Sequence, residues 1–172
     1  MSVIVITGGS RGLGKNAALA LARQDTDIIL TYQQNAAAAQ AVVSEIEWLG
    51  RKAVALPLDV ADSSSFAAFA DTVRQQLQQH WQRDSFNYLL NNAGIGINAP
   101  FTDTTEQQFD QLMRIHVKGP YFLTQQLLPL LADQGSILNV STGLTRFAVP
   151  GYGTYAAMKG AMETLTHYWA KE

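Results

Sequence analysis

The stretch "ITGGSRGLG", Ile6–Gly14, places four glycines in nine positions directly after an apolar run, and its reading decides the fold. Glycine loses more freedom than any other residue when it is ordered, so such a cluster answers a geometric need. Ahead of it, "VIVIT" (Val3–Thr7) reads as a short buried strand. Behind it, "GLGKNAALALARQ" repeats apolar residues at helical spacing through Leu13, Ala17, Ala20 and Leu21. The order is strand, glycine turn, helix. A helix N-terminus offers unpaired N–H groups and a partial positive charge, and glycines before it let a pyrophosphate approach the backbone. Gly8, Gly12 and Gly14 supply that approach. Their spacing is GxxxGxG rather than the GxGxxG of the ordinary dinucleotide fingerprint, so alone the stretch also fits a tight turn with no ligand.

Outward from this turn the alternation continues. "DIILTY" (27–32) reads as a second strand, followed by the alanine-rich helix "AAAAQAVVSEIEWLG" with Gly50 near its C-cap. "AVALPLDV" (53–60) is a third strand. The helix "SSSFAAFADTVRQQLQQHW" follows, with serines as N-cap candidates and apolar spacing at Phe66, Phe69, Val73 and Leu77. "FNYLLNNAG" makes strand four, a single long helix is expected over about 104–131, "GSILNVST" makes strand five, and a last helix begins near 154. Strands that are apolar throughout and separated by helices imply a parallel sheet covered on both faces. Right-handed crossovers then give a doubly wound, three-layer α/β/α (Rossmann-type) fold. Ligands of such folds bind beyond the carboxyl ends of the strands, and four polar clusters fall there: "TGGSRGLG", "DV" at 59, "NNAG" at 91–94 and "ST" at 141.

Composition narrows the function classes. With 172 residues, 47% apolar and 15% charged, one soluble globular domain over 1–172 is expected. A net charge of −2 argues against a polyanionic partner, so no nucleic acid is expected. Zero cysteines exclude a disulfide, a thiolate zinc site and a thiol nucleophile, and no metal is expected. Met1 and Ser2 lead straight into "VIVIT" without a basic or long apolar leader, and no membrane association is expected. The expected location is the cytoplasm.

Three motifs in order, "TGGSRGLG", "NNAG" and "YAAMK", make the chain resemble the short-chain dehydrogenase/reductase family over its whole length, and within it the 3-oxoacyl reductases, which the "NVSTGLTRF" region is similar to. The resemblance implies a nicotinamide dinucleotide and hydride transfer to or from a carbonyl or alcohol. It carries cofactor contacts onto Gly8, Ser10, Arg11, Gly12, Leu13 and Gly14, onto Tyr32, onto Asp59 and Val60 beside the adenine, and onto Asn92, Ala93 and Gly94 along the ribose. NADP(H) is favoured, with NAD(H) as the alternative. The end of strand two reads Thr31-Tyr32-Gln33-Gln34 and lacks the carboxylate that would repel a 2′-phosphate, while Arg11 has a fork suited to phosphate oxygens. A second arginine that many relatives carry is Gln34 here.

Tyr155 and Lys159, spaced i and i+4, lie on one helical face. A phenol ordinarily titrates near 10, and a nearby cation favours its anion. The resemblance implies that Tyr155 protonates the forming alkoxide and that Lys159 also holds the nicotinamide ribose. It implies as well a hydroxyl thirteen residues before the tyrosine, which is Thr142, with Ser141 as the fallback. Since adjacent strand residues point to opposite faces, only one of the two is expected to reach the site. His116 stands where relatives have asparagine. Pro120 lacks an N–H, so a helix through it cannot pair the carbonyl of residue 116 and must kink. The family's relay holds a water on that main-chain carbonyl, so the backbone of residue 116 is expected to matter more than its side chain.

After Glu172 the resemblance implies a sixth strand, a substrate lid and a seventh strand, so the expected fold lacks the family's C-terminal strands and exposes a sheet edge. The expected partners are a small carbonyl or alcohol substrate and further copies of the chain, paired through the 104–131 and 154-onward helices as a homodimer or homotetramer. The competing reading is a non-catalytic NADP(H)-binding sensor or regulator, or an inactive reductase fragment.

Overall fold

Five strands form one parallel sheet in the computed structural model, which describes residues 2–172. They are β1 (Ser2–Ile6), β2 (Thr26–Tyr32), β3 (Ala53–Pro57), β4 (Phe86–Asn91) and β5 (Leu131–Asn139), in the spatial order β3-β2-β1-β4-β5. The chain winds outward from β1 to β3 and then returns to place β4 on the other side of β1. The carboxyl ends of β1 and β4 therefore flank the point where the winding reverses, where doubly wound folds bind ligands.

Strand alternation sorts β1 between the two faces of the sheet. Val3 and Val5 join Ile29 under α3 (Phe66–Trp81) and α5 (Gly119–Leu127), with Phe66, Val73, Leu77, Leu123 and Leu127 fully buried. Ile4 and Ile6 join Ile28 and Leu30 under α1 (Gly12–Ala22) and α2 (Ala36–Trp48), where Ala18, Ala39, Val42 and Ile46 close the layer. The α/β/α fold expected of the sequence is the one observed.

The element boundaries differ in places with physical causes. The helix expected over 104–131 is three pieces: α4 (Glu106–Met113), a π-helical turn over Arg114–Lys118, and α5, followed by a 3₁₀ turn over Leu128–Leu130. Pro120 cannot donate to the carbonyl of residue 116. The chain inserts a wider turn, in which the Gly119 N–H reaches back to the Arg114 carbonyl. Ser65 stands at the N-cap position of α3, but its side chain makes no capping bond and its hydroxyl donates to the Asp62 carbonyl at 2.8 Å. Asp62 caps the preceding 3₁₀ turn by accepting from the Ser64 N–H at 3.1 Å. Strand β5 begins at Leu131, before the expected 135, because the register with β4 shifts between Phe86 and Tyr88 and Gln134 adopts a φ of 64°. It forms one edge of the sheet, with Leu138 half exposed. The last helix, α6 (Gly153–Trp169), contacts β5, α4 and the π-turn. No helix among the described residues is long and apolar enough to cross a membrane.

Asp27 is fully buried in β2, where its carboxylate accepts from the Trp81 indole N–H at 2.7 Å and the Lys52 amide at 3.0 Å. It thereby joins β2 to the end of α3. Replacing it with alanine leaves a buried indole N–H unpaired, so Asp27→Ala is expected to destabilise the fold by about 2 kcal/mol, read as a lower urea midpoint with an unchanged m-value.

Candidate functional site

The glycine turn leaves β1 through Gly8, whose φ of 68° is open to glycine at little cost. Its N–H donates to Thr31 Oγ1 at 3.1 Å and that of Gly9 to the Thr31 carbonyl at 2.9 Å, so the end of β2 holds the turn. At Gly14 a side chain would strike the Gly8 carbonyl and the Asn92 amide. The close approach lets α1 start directly behind the turn. Asn35 caps α2, and Thr105 with Gln108 forms a capping box on α4. By contrast α1 has neither a side-chain cap nor an acid in its first turn, and its first residues border a cleft. Its leading N–H groups are left for an outside acceptor.

Thr7 ties this turn to the end of β4. Its hydroxyl accepts from the N–H groups of Asn92 and Ala93, both at 3.0 Å, and the Asn92 side chain donates to the carbonyls of Thr7 at 2.9 Å and Gly8 at 3.2 Å. Sequence reasoning read Thr7 only as a strand end and did not single out Thr31. The signal available was a hydroxyl residue at the carboxyl end of each strand beside the glycines.

Between the turn and α6 lies an open cleft of about 800 Å³. All the site residues named from the sequence border it: the glycine-turn set from Gly8 to Gly14, Tyr32, Asp59, Val60, Asn92, Ala93, Gly94, His116, Ser141, Thr142, Tyr155 and Lys159. Gln33 and Gln34 line it together with Arg11, and no acidic residue stands at the end of β2. Asp59 also makes a local turn, accepting from the Ala61 N–H at 2.9 Å.

Lys159 is buried against β5, where its Nζ donates to the Val140 carbonyl at 2.7 Å and stands 6.0 Å from the centre of the Tyr155 ring. Burial pushes its pKa below the ordinary lysine value. The expectation that Ser141 and Thr142 point to opposite faces is corrected. Both border the cleft, because β5 ends at Asn139 and the strand alternation ends with it. Their hydroxyls nevertheless differ: that of Ser141 donates to Glu163 at 2.5 Å, while Thr142 only accepts from the Leu144 N–H at 3.3 Å and retains its own proton to donate.

His116 lies inside the π-turn and is almost fully buried. Its Nε2 sits 2.7 Å from the Ile95 carbonyl and 3.4 Å from the Ile95 amide nitrogen; the shorter contact, which joins two acceptors unless the ring donates, assigns the proton to Nε2, and the ring meets Tyr155 edge to face at 5.2 Å. Its Nδ1 and Asn91 Oδ1 are buried acceptors without a protein partner. Both residues border a cavity of about 20 Å³ together with Asn139 and Lys159, enough room for one water.

Comparison with known proteins places this fold among its relatives. The family model for short chain dehydrogenases matches residues 2–172. The chain is 33% identical over 168 residues to the short-chain dehydrogenase/reductase FrzI of Cladobotryum sp, covering 98% of this chain and 63% of that protein. It is 33% identical to the uncharacterized oxidoreductase YgfF of Escherichia coli K12, covering 96% of this chain and 68% of the other. Among solved structures, the landomycin C-6 ketoreductase LanV with bound NADP and rabelomycin superposes with a TM-score of 0.95 at 29% identity, covering 99% of this chain and 69% of that one. A short-chain dehydrogenase from Burkholderia cenocepacia in complex with NADP gives 0.90 at 33% identity, covering 99% and 67%.

Burial first, and then the positive charge of Lys159, lower the pKa of His116 from 6.5 to about 4, against the opposing pull of its bond to Ile95. In the unfolded chain this histidine protonates near 6.5 and in the folded one only near 4. The unfolded state thus binds more protons as pH falls through that window, and stability is lost there. Relative to His116→Gln, the wild type should lose about 3 kcal/mol more between pH 7 and pH 4, measured by urea unfolding at each pH.

Proposed function

The chain belongs to the short-chain dehydrogenase family, and on that premise we propose that it is an NADP(H)-dependent oxidoreductase that reduces a ketone or oxidises a secondary alcohol, with Tyr155 and Lys159 as the acid–base pair. One observation carries the reading: this pair opens onto the same cleft as the uncapped N-terminus of α1. Residues 1–172 act in it as a single dinucleotide-binding unit.

The groups around the cleft suit a dinucleotide phosphate. The N–H groups of the first turn of α1 would hold the pyrophosphate, and Arg11 would meet a 2′-phosphate with no carboxylate of β2 to repel it. LanV and the Burkholderia protein were both crystallised with NADP, which supports that form over NAD(H). When bound, the nicotinamide supplies the hydride. Thr142 donates a hydrogen bond to the substrate oxygen, Tyr155 gives that oxygen its proton, and Lys159 stabilises the negative charge left on the phenol. His116 holds the ring of Tyr155 from the side. A water in the cavity beside it would donate to His116 Nδ1 and Asn91 Oδ1 and accept from the Lys159 ammonium.

The substrate is a keto compound with an apolar body. Loops 95–103 and 146–152 are joined by the Ala99 N–H to the Gly151 carbonyl at 2.9 Å, and they carry the exposed side chains of Phe101, Phe147 and Val149. Self-association runs through α4, α5 and α6, where Phe109, Met113, Tyr121, Phe122 and Tyr168 are exposed. A cytoplasmic setting belongs to the same proposal.

Titration with NADPH and NADH, followed by tryptophan fluorescence, and NADPH oxidation with a panel of aryl ketones test the reading. Tyr155→Phe is expected to lower kcat about a thousandfold with NADPH affinity retained, and Lys159→Ala to lower both. NADPH binding without turnover on any ketone would favour a sensor. Arg11→Ala should weaken NADPH binding about tenfold and leave NADH unchanged; equal losses for both cofactors would remove Arg11 from the 2′-phosphate.

A further inference from the structure

Beyond the acid–base pair, α6 presents a third polar side chain one turn further along. Tyr155, Lys159 and Glu163 succeed one another at intervals of four and share a helical face. Oε1 of Glu163 receives two hydroxyls from the loop after β5, that of Ser141 at 2.5 Å and that of Thr145 at 3.0 Å. The two donors flank Thr142 in the chain. The Thr145 hydroxyl shares its proton with the Thr142 carbonyl at 2.9 Å, and Thr142 in turn caps the short 3₁₀ turn Gly143–Thr145 through its own side chain. The Thr142 carbonyl is thus tied through Thr145, and its neighbour Ser141 directly, to one carboxylate on the helix that bears Tyr155.

We infer that Glu163 is a positioning residue: it clamps the 141–145 loop to α6, withdraws the Ser141 hydroxyl from the cleft, and so leaves Thr142 as the loop's hydroxyl for the substrate oxygen at a set distance from Tyr155. This rests on the reductase reading for its consequence in turnover, but not for the clamp itself. The hydrogen bond from Ser141, and after it that from Thr145, hold the Glu163 carboxyl below its ordinary pKa, so the charged, doubly accepting form is the one present at neutral pH. The chemistry also explains the choice of an acid. A carboxylate oxygen accepts two hydroxyls at once and offers neither a competing donor. Glutamine keeps the accepting oxygen but adds an N–H pair beside it. Alanine releases both hydroxyls.

The experiment compares the wild type with Glu163→Ala, Glu163→Gln and Ser141→Ala in the full chain, using amide hydrogen exchange, NADPH affinity and ketone reduction. Exchange at Leu144, Arg146 and Phe147, whose amides bond within this loop, should speed up about tenfold or more in Glu163→Ala, with residues 8–14 and 89–94 unchanged. The kcat should fall by a similar factor while NADPH affinity stays within about twofold, and Glu163→Gln should recover part of both losses. Ser141→Ala, which removes one arm of the clamp and leaves Thr142 intact, should lie between Glu163→Gln and Glu163→Ala. Unchanged exchange and kcat in Glu163→Ala would overturn the clamp, as would exchange that rises equally across the sheet. A wild type that binds NADPH and reduces no ketone would overturn the reductase reading instead, and the clamp would stand or fall on the exchange of the loop alone. Should Glu163→Ala not fold, the same exchange comparison in Ser141→Ala decides: a rise confined to 142–147 supports the clamp, and no rise overturns it.

Discussion

The site depends on the bridge that Thr7 makes between β1 and β4. These strands are neighbours in space and 80 residues apart in sequence, and their carboxyl ends diverge into unrelated segments, the glycine turn and the NNAG turn. One buried hydroxyl accepts two backbone N–H groups from the second turn, while the Asn92 amide returns two bonds to the first. Without them the reversal of strand order would leave a crevice with unpaired backbone at its floor, which burial makes costly. With them, α1 begins close enough for Gly14 to touch the Gly8 carbonyl, and the open end of that helix is directed into the cleft.

A second constraint acts from the other wall. Lys159 is desolvated and tied to Val140, and His116 is held neutral beside it. A neutral imidazole is the form that suits that place, since a second buried cation would repel the ammonium. The π-turn sets the ring there. It takes up the residue that Pro120 would otherwise leave unpaired and packs Gly119 under the Val60 carbonyl, so the ring lies against both Tyr155 and the strand-four turn. The His116 side chain therefore packs against the phenol, a contact that spacing in the sequence does not reveal.

Much of this was legible in the residues. Apolar strands at regular intervals with helical spacing between them imply a covered parallel sheet, because each periodicity commits its residues to one side of a layer. The four polar clusters at strand ends all reached the cleft for the same reason. Less legible were features that depend on two distant segments meeting. The bulge within β5 arises from pairing with β4. Spacing could not show that the Ser141 hydroxyl is taken by Glu163, 22 residues away, because that bond joins the loop after β5 to α6.

The sequence by itself determined the layer architecture, the position of the glycine turn and the identity of the polar groups at its mouth, because period and turn chemistry are local properties of a chain. The tertiary structure alone decided which hydroxyl is free, which nitrogen of His116 carries a proton and how deeply Lys159 is buried. Those outcomes turn on desolvation and on hydrogen-bond partners supplied by other elements, and no local pattern encodes them.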